Sequence, residues 1–358
     1  MRFCLTMALL GCLMMVPTFI LSEELAPLVV ESSAFKNQST DEFAQSVTVI
    51  TGEELDNKKS LSIGETLEGE LGVSSSFFTQ GASRPVIRGL STNRVRVLEN
   101  GIDSLDASSI SEDHAVSIDP YAAEQVEIIR GPSTLRFGPG AIGGVVNVTN
   151  KRLPQALGDK AFDIGVDIDH DSVSDGNTLG VDLNGTVGSF VWHVDGVTRD
   201  TNDYDIDGFA NENARENRGE QDNSDLETDS YAFGGSFITD QGLFGLAFSR
   251  FDTDYGVPSI EDADIRIDAR QYRYDGQAEL FNPFANIESI SLRTTYNNYT
   301  HNELEVEDGE TEVGTTFDNE EFEGRLEAVA NFSSIWSTAF GLQYNDCLLY
   351  TSPSPRDS

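Results

Sequence analysis

The chain has 358 residues, 38% of them hydrophobic, and it is rich in glycine (32) and phenylalanine (21). Its formal net charge of −38, from 61 acidic against 23 basic residues, excludes a nucleic-acid-binding role and favours the attraction of cations. The three cysteines lie near the two ends, at Cys4, Cys12 and Cys347, which excludes disulfides and thiolate metal sites from the long central part.

The N-terminus has the pattern of a secretory signal peptide over residues 1–22. Arg2 supplies a positive charge, an uncharged apolar run follows over residues 3–21, and Ser22 precedes two glutamates. This pattern predicts export with cleavage after Ser22; an uncleaved membrane anchor is the alternative, because the run is long enough to span a bilayer. Residues 23–39 form a short polar, extended lead.

The first folded unit is predicted over residues 40–152 and combines helices with strands. The pattern predicts a strand over residues 46–50, a helix starting near Thr51 with acidic residues in its first turn, and a second helix over residues 61–71 capped by Ser62. Strands dominate the rest of this unit, which indicates an α+β domain.

Within this unit, residues 124–151 are the most informative segment and predict a strand, a glycine-rich turn and a second strand. Gly138 and Gly140 flank a proline in a tight reversal, and Gly143 and Gly144 indicate a close backbone approach or a positive φ. The glycines also fit a dinucleotide-binding fingerprint. That motif needs a helix after its last glycine, whereas β-branched strand residues follow here, so the fingerprint is rejected.

These residues resemble the plug domain of TonB-dependent outer-membrane receptors. Plugs of that family carry an RGP segment followed by AIGGVINI, and upstream an IRG strand followed by a strand ending in DG or NG; both signatures occur here in that order. The matching positions are Arg88, Gly89, Arg130, Gly131, Pro132, Gly138, Gly143 and Gly144. The resemblance implies an importer in the outer membrane of a Gram-negative bacterium.

The resemblance also implies a partner for the N-terminal lead. Five residues of the lead resemble a TonB box, the periplasmic segment that pairs by strand addition with TonB of the TonB–ExbB–ExbD complex. They are Leu28, Val29, Val30, Glu31 and Ser32. Force applied through this segment is expected to displace part of the plug.

From Ala161 onward, polar and apolar residues alternate with a period of two. About nine strands are predicted, near residues 162–171, 177–187, 189–199, 229–239, 242–253, 270–281, 287–299, 317–332 and 335–345. Segments of about ten residues with aromatics near their ends are typical of strands that face outer-membrane lipid. The predicted outside loops are residues 201–228, 253–269 and 300–316.

The predicted fold is therefore mainly β, with an α+β plug inside the N-terminal part of a transmembrane β-barrel at residues 153–346. Nine strands are too few to close around a plug, because plugged barrels of this kind use about 22, so the chain is predicted to be truncated. Residues 347–358 contain two prolines and no strand pattern. They are predicted to be a foreign tail; a disordered natural terminus is the alternative.

No catalytic motif is found, and neither an enzyme nor a resident cofactor is predicted. The candidate ligand site is the pair Asp113 and His114, in a loop between two plug strands that is expected at the outer apex. A carboxylate and a neutral imidazole together suit zinc or a similar divalent ion. An exposed surface pair is the alternative interpretation.

The surrounding sequence is similar to zinc-uptake receptors of the ZnuD type, whose apical plug loop carries an Asp-His pair followed by an apolar residue. That resemblance implies a further ligand from a barrel loop, for which His301, Glu303 and Glu312 are the candidates. The histidine-rich capture loop of those receptors is missing, since the chain has only four histidines. The expected cargo is zinc, another divalent metal or a metal chelate.

Two other functions stay open from the sequence. Arginines concentrated in the plug suit an anionic ligand, so uptake of a siderophore, haem or another chelate is the alternative within transport. These arginines are Arg84, Arg88, Arg94, Arg96, Arg130 and Arg136. An outer-membrane enzyme or adhesin is the alternative of a different class, and the plug signatures argue against it.

Overall fold

A computed structural model of the chain describes residues 29–33, 35, 38–40, 46–158, 160–210, 218–258, 264–307, 309–333 and 336–352. The predicted signal peptide lies outside these residues. Within them, the chain forms a small mixed domain followed by a large antiparallel sheet. Neither helix of the described residues has the length and hydrophobicity that a bilayer-spanning helix requires.

The first domain, here called the plug, is built on a five-stranded sheet with an adjoining two-stranded ribbon. Its strands are β1 (Val47–Thr51), β2 (Val73–Ser75), β3 (Pro85–Ile87), β4 (Val95–Glu99), β5 (Ile102–Asp103), β6 (Gln125–Ile129) and β7 (Gly144–Thr149). β2 and β3 form the ribbon, and the sheet has the order β1-β6-β7-β4-β5, in which only β4 and β7 are parallel. This mixed architecture confirms the predicted α+β fold.

Two short helices flank the sheet, α1 (Gly52–Asp56) and α2 (Ile63–Thr66). Ser62 caps α2 as predicted, because its hydroxyl accepts a hydrogen bond from the Glu65 amide at 3.3 Å. The helix predicted over residues 61–71 is much shorter than expected. Gly69 and Gly72 adopt φ angles of 88° and 74°, so the chain turns there and does not continue the helix.

The plug has its own hydrophobic core, formed by aliphatic side chains of the sheet and both helices. Its buried members are Ile50, Leu55, Ile63, Leu67, Val73, Ile87, Val95, Val97, Val116, Ile118, Ala123, Val126, Ile128, Val146 and Val148. Removal of this apolar surface from water favours the folded plug.

The plug signature contains the two predicted strands, but the connection between them is more structured than a turn. A 3-10 helix (Pro132–Phe137) lies between β6 and the reversal into β7. A Cβ atom at Gly143 would lie 3.0 Å from the Arg94 carbonyl oxygen, and one at Gly144 would lie 3.1 Å from the Ile129 carbonyl oxygen. The predicted close approach is therefore confirmed. A strand follows these glycines, which confirms the rejection of the dinucleotide fingerprint.

The second part of the chain is one antiparallel sheet of nine strands, here called the wall. Its strands are β8 (Phe162–Asp171), β9 (Gly176–Val187), β10 (Phe190–Thr201), β13 (Leu226–Thr239), β14 (Gly242–Val257), β15 (Asp264–Phe284), β16 (Ile287–Glu307), β17 (Glu310–Ser333) and β18 (Trp336–Ser352); β11 (Asp205–Phe209) and β12 (Arg218–Glu220) form a separate hairpin. Each wall strand pairs with the next wall strand in the chain. All nine predicted strands are confirmed.

The two faces of the wall differ in polarity, as the alternation predicts. On β15, Gln271 and Arg273 point inward and are 3% and 1% exposed, whereas Tyr274 points outward and is 50% exposed. Other exposed apolar side chains of the wall are Phe233, Phe237, Phe244, Leu246, Leu280, Phe340 and Tyr344. An aromatic and aliphatic outer face fits contact with outer-membrane lipid.

Several strands extend further than predicted. β14 and β15 cover much of the predicted loop 253–269, and β16 and β17 meet in a hairpin that covers nearly all of the predicted loop 300–316. The second of these segments is rich in acidic side chains. They do not prevent pairing, because the ladder is made by backbone groups.

β18 also continues beyond the predicted limit at Asn345. The chain pairs with β17 as far as Ser352, and Cys347 lies opposite Glu321. The prediction of no strand after Asn345 was wrong, because an exposed sheet edge offers backbone partners whatever the side-chain pattern. Residues 353–358 lie outside the described residues, and the foreign origin of residues 347–358 stays a prediction.

The plug lies against the inner face of the wall, and arginines of the wall hold its backbone. Arg293 Nη1 donates to the Asn100 carbonyl oxygen at 3.0 Å, and Arg325 Nη2 donates to the Arg136 carbonyl oxygen at 3.0 Å. Arg136 itself pairs with Glu327 of the wall at 2.6 Å. The wall thus contributes arginine side chains as well as carboxylates to this interface.

A buried ion network, here called the anchor, joins the end of the plug to the wall. Arg152 Nη1 lies 3.0 Å from Glu99 Oε1, and Arg152 Nη2 lies 2.8 Å from Asp195 Oδ1. Arg273 Nε lies 3.3 Å from the same glutamate, and His193 Nε2 lies 3.1 Å from the same aspartate. His193 therefore points inward as a buried polar residue of the wall.

Gly81 lies where the plug meets a buried tyrosine of the wall. A Cβ atom at this position would lie 2.5 Å from Cγ of Tyr255. We expect Gly81→Ala to lower the free energy of unfolding by about 1–3 kcal/mol through overpacking, as measured by denaturant titration in detergent. Gly196→Ala is the control, because its Cβ would have no neighbour closer than 3.8 Å. Equal stability of the two variants would contradict this packing.

Candidate metal site

The predicted ligand pair lies in a plug loop that a wall tyrosine fastens. The Tyr255 hydroxyl on β14 donates to the Asp113 carbonyl oxygen at 2.8 Å and accepts from the Ala115 amide at 2.9 Å. These two bonds hold the residue between them, His114, against the inner face of the wall. Burial of the tyrosine hydroxyl without such partners would be unfavourable, so the contact is specific.

In the neutral form of His114, the side chains of His114 and Glu303 would face each other through two hydrogen-bond acceptors. His114 Nδ1 lies 3.1 Å from the Ala107 carbonyl oxygen, which can only accept, so Nδ1 carries a proton. In the neutral ring, Nε2 then presents a lone pair, and it lies 3.3 Å from Glu303 Oε1. Two acceptors at this distance need a shared cation, which is either a proton on the ring or a metal ion.

The surroundings of His114 favour its charged form. Burial lowers the pKa of His114, but hydrogen bonds to Glu303 and to the Ala107 carbonyl, together with the charge of Asp113, raise it above the ordinary value overall. The carboxylates therefore attract positive charge to this point of the plug surface.

His301, on β16 of the wall, lies beside His114 and is fully buried. The centroids of the two imidazole rings are 4.2 Å apart, and Phe317 packs edge-on against both rings. His301 Nδ1 lies 2.9 Å from the Tyr299 hydroxyl, whereas His301 Nε2 has no hydrogen-bond partner among the described residues. Buried nitrogens without a partner are rare, and ligation of an ion is one way to satisfy such an atom.

The three side chains form a compact set of donors. One ligand atom from each of His114, His301 and Glu303 lies within 4.8 Å of the others. Asp113 Oδ1 adds a further oxygen 3.9 Å from His114 Nε2. Two imidazole nitrogens with one or two carboxylate oxygens suit zinc or copper, whereas calcium and magnesium prefer oxygen ligands alone.

The structure brings four of the five predicted metal ligands together and leaves out Glu312. Glu312 lies on β17 opposite Glu305, nearer the hairpin tip than Glu303. It was placed near the pair on the expectation of a flexible loop across residues 300–316. The hairpin register fixes it away from the site.

Sequence reasoning missed the residues that orient the histidines. These are Ala107 and Tyr299, with Phe317 as the apolar neighbour of both rings. The alternation of β16 contained part of the signal, because residues 299, 301 and 303 share one face of a strand. No local pattern indicated that Ala107 would lie beside them.

The predicted TonB box is only partly described, since Leu28 lies outside the described residues. Val29 forms an isolated β-bridge with Ser39, and the Ser32 amide donates to the Glu127 carboxylate at 3.0 Å. The adjacent Glu31 amide donates to the same carboxylate. The segment is thus docked on the plug through backbone hydrogen bonds.

Comparison with known proteins supports the plug interpretation. Residues 39–145 match the TonB-dependent Receptor Plug Domain family. The ferrichrome outer membrane transporter/phage receptor of Escherichia coli (strain K12) is 34% identical over 128 residues, which are 34% of this chain and 17% of that protein. The ferrioxamine receptor of Yersinia enterocolitica is 32% identical over 123 residues, which are 33% of this chain and 17% of that protein. These matches cover much less than two thirds of either relative.

Solved structures share the fold at low sequence identity. The copper transporter OprC has a TM-score of 0.69 at 16% identity, covering 85% of this chain and 47% of that chain. The unliganded ferric citrate transporter FecA has a TM-score of 0.64 at 14% identity, covering 92% and 60%. The FrpB iron transporter from Neisseria meningitidis has a TM-score of 0.68 at 14% identity, covering 86% and 49%.

Residues 39–145 are therefore a plug domain of the TonB-dependent receptor type, and the plug and wall together have the fold of the corresponding part of these solved transporters. The relatives named above carry the names of transporters and receptors, in agreement with the prediction of a non-enzymatic role.

Proposed function

We propose that this receptor imports a divalent metal ion of the zinc type, which first binds to His114, His301 and Glu303. The observation that carries the proposal is the convergence of two buried imidazoles and a carboxylate, with one buried nitrogen lacking a partner among the described residues. Asp113 is the additional oxygen ligand. The resemblance to ZnuD-type zinc receptors in this loop supports the same cargo.

The location of the site suits capture followed by release into the plug. His114 belongs to the plug, whereas His301 and Glu303 belong to the wall, so one bound ion would bridge the two parts. The coordination of such an ion would change with any displacement of the plug relative to the wall. Movement of the plug would separate the ligands and weaken binding, which is what an importer requires of its cargo.

The proposed energy source is TonB of the TonB–ExbB–ExbD complex. TonB would pair by strand addition with the box that begins at Leu28, and a short extended segment of backbone suits that mode. The docking supports a segment that can be exchanged, because it consists of a few side-chain hydrogen bonds to the backbone of the segment, made by Glu127, Gln125 and Arg136.

Uptake of a siderophore or another metal chelate is the second candidate. This candidate is favoured by the names of the two relatives that match the plug, which refer to ferrichrome and ferrioxamine. Arg84 supports it as well, since its guanidinium is buried and its Nε has no hydrogen-bond partner in the described part of the chain. Under this proposal the ligand would meet plug arginines in place of the histidines.

Replacement of Glu303 by glutamine tests the metal site. Glu303→Gln keeps the shape of the side chain and removes the charge that faces His114, so we expect Zn²⁺ affinity to fall at least about tenfold. Glu305→Gln is the matched control on the same strand. Competition against a chromophoric chelator, with the purified chain in detergent, measures both variants.

Unchanged Zn²⁺ binding in Glu303→Gln would count against the metal proposal. Binding of ferrichrome or ferrioxamine by the same preparation, unaffected by this substitution, would favour the chelate proposal instead.

A further inference from the structure

We propose that Tyr299 is a positioning residue that turns the free nitrogen of His301 toward the cargo; this inference rests on the metal site proposed above. Tyr299 lies two residues before His301 on β16, so both side chains project from the same face of the strand. The Tyr299 hydroxyl lies 2.9 Å from His301 Nδ1, and both side chains are almost completely buried.

The proposed role requires one particular tautomer of His301. When Nδ1 carries the proton and donates to the Tyr299 oxygen, Nε2 is left with a lone pair. In the opposite tautomer, a buried Nε2–H would have no acceptor, because Nε2 has no partner within the described residues. Ligation through Nε2 requires the tautomer in which Nδ1 carries the proton, and the Tyr299 oxygen lies where it can accept that hydrogen bond.

Ala107 connects this arrangement to the second histidine. Its carbonyl oxygen lies 3.1 Å from His114 Nδ1. Ala107, Tyr299 and Tyr255 pack in one buried cluster at the contact between plug and wall. One plug peptide and one wall tyrosine therefore hold both rings with Nδ1 turned away from the ion and Nε2 turned toward it.

Loss of this orientation weakens binding without removing a ligand. Partners that hold the second nitrogen of a metal-binding histidine are worth about 10- to 100-fold in metal affinity. Tyr299→Phe removes the hydroxyl and keeps the buried ring. We expect Zn²⁺ affinity to fall by this factor, and the absorption bands of bound Co²⁺ to shift because the His301 ring is free to rotate.

Tyr296→Phe is the matched control. Tyr296 lies on the same strand but faces outward and is 43% exposed, so loss of its hydroxyl leaves the histidines unchanged. We expect wild-type Zn²⁺ affinity and Co²⁺ bands from this variant. Wild-type affinity and bands in Tyr299→Phe as well would overturn the proposal.

A second measurement does not depend on the folding of any variant. The chain has four histidines, so ¹⁵N-histidine labelling of the metal-free protein gives few imidazole signals to assign. We expect the Nδ1–H tautomer for His301, and an Nε2–H tautomer would overturn the proposal.

The proposed function and the positioning role fail in distinguishable ways. If the wild-type chain binds neither Zn²⁺ nor Co²⁺, the metal site is wrong and the role of Tyr299 falls with it. If the wild type binds and His114→Ala does not, while Tyr299→Phe matches the wild type, only the positioning role is wrong.

Discussion

Replacement of His114 by alanine is expected to lower Zn²⁺ affinity by more than about 100-fold, a larger loss than removal of an orienting partner produces. The variant removes the nitrogen donor that the plug contributes and leaves His301 and Glu303, both on the wall. It also removes the ring that packs 4.2 Å from His301. Zn²⁺ competition titration of the purified chain measures the loss.

The histidine on β8 provides the control for this variant. His170 is exposed and lies outside the cluster, so His170→Ala removes the same side chain without touching the site. We expect its Zn²⁺ affinity to equal that of the wild type. If both alanine variants bind Zn²⁺ as the wild type does, the metal proposal is wrong, and binding of ferrichrome or ferrioxamine becomes the decisive measurement.

The architecture could be predicted from the sequence because each part has a strong local signal. The alternation along β15 places Gln271 and Arg273 inside and Tyr274 outside, and the structure shows the same faces. The glycines of the plug signature indicated close backbone approach, and Gly144 does lie against the Ile129 carbonyl oxygen. The strand limits were less predictable, because backbone pairing extended the hairpins into acidic segments that side-chain pattern alone assigned to loops.

The candidate site could be predicted only in part. The resemblance in the plug loop indicated Asp113 and His114, and it named His301 and Glu303 without settling their distances. His114 and Glu303 are separated by 189 positions, so their 3.3 Å contact depends on the docking of plug and wall. The register of β16 against β17 decided that Glu312 would lie elsewhere, and register is not readable from composition.

The orientation of the imidazoles was beyond the sequence for a different reason. It depends on which atom meets which ring nitrogen, as in the contact between Tyr299 and His301. Such contacts are set by side-chain packing at one buried interface. The alternation of side chains along a strand predicts only that Tyr299 and His301 share a face of β16. The structure therefore adds the chemistry of the site to a location that the sequence had partly indicated.

Substitution of Arg152 by methionine is expected to lower the free energy of unfolding by about 3–5 kcal/mol, because it leaves the buried Asp195 carboxylate without its guanidinium partner. Arg152 bridges Glu99 of the plug and Asp195 of the wall, and its side chain is 8% exposed. Glu99 keeps Arg273 after the change, whereas Asp195 keeps only His193. Denaturant titration in detergent measures the loss, and limited proteolysis reports whether the plug loosens first.

Two further variants separate the anchor from ordinary surface pairing. Arg270→Met removes an arginine that is 47% exposed and pairs with Asp252, so we expect a loss of about 0–1 kcal/mol. Combining Arg152→Met with Asp195→Asn should recover part of the stability, because no unpaired charge then stays buried at that position. If Arg152→Met costs no more than Arg270→Met, the buried pairs do not anchor the plug, and its retention must depend on the backbone contacts from Arg293 and Arg325.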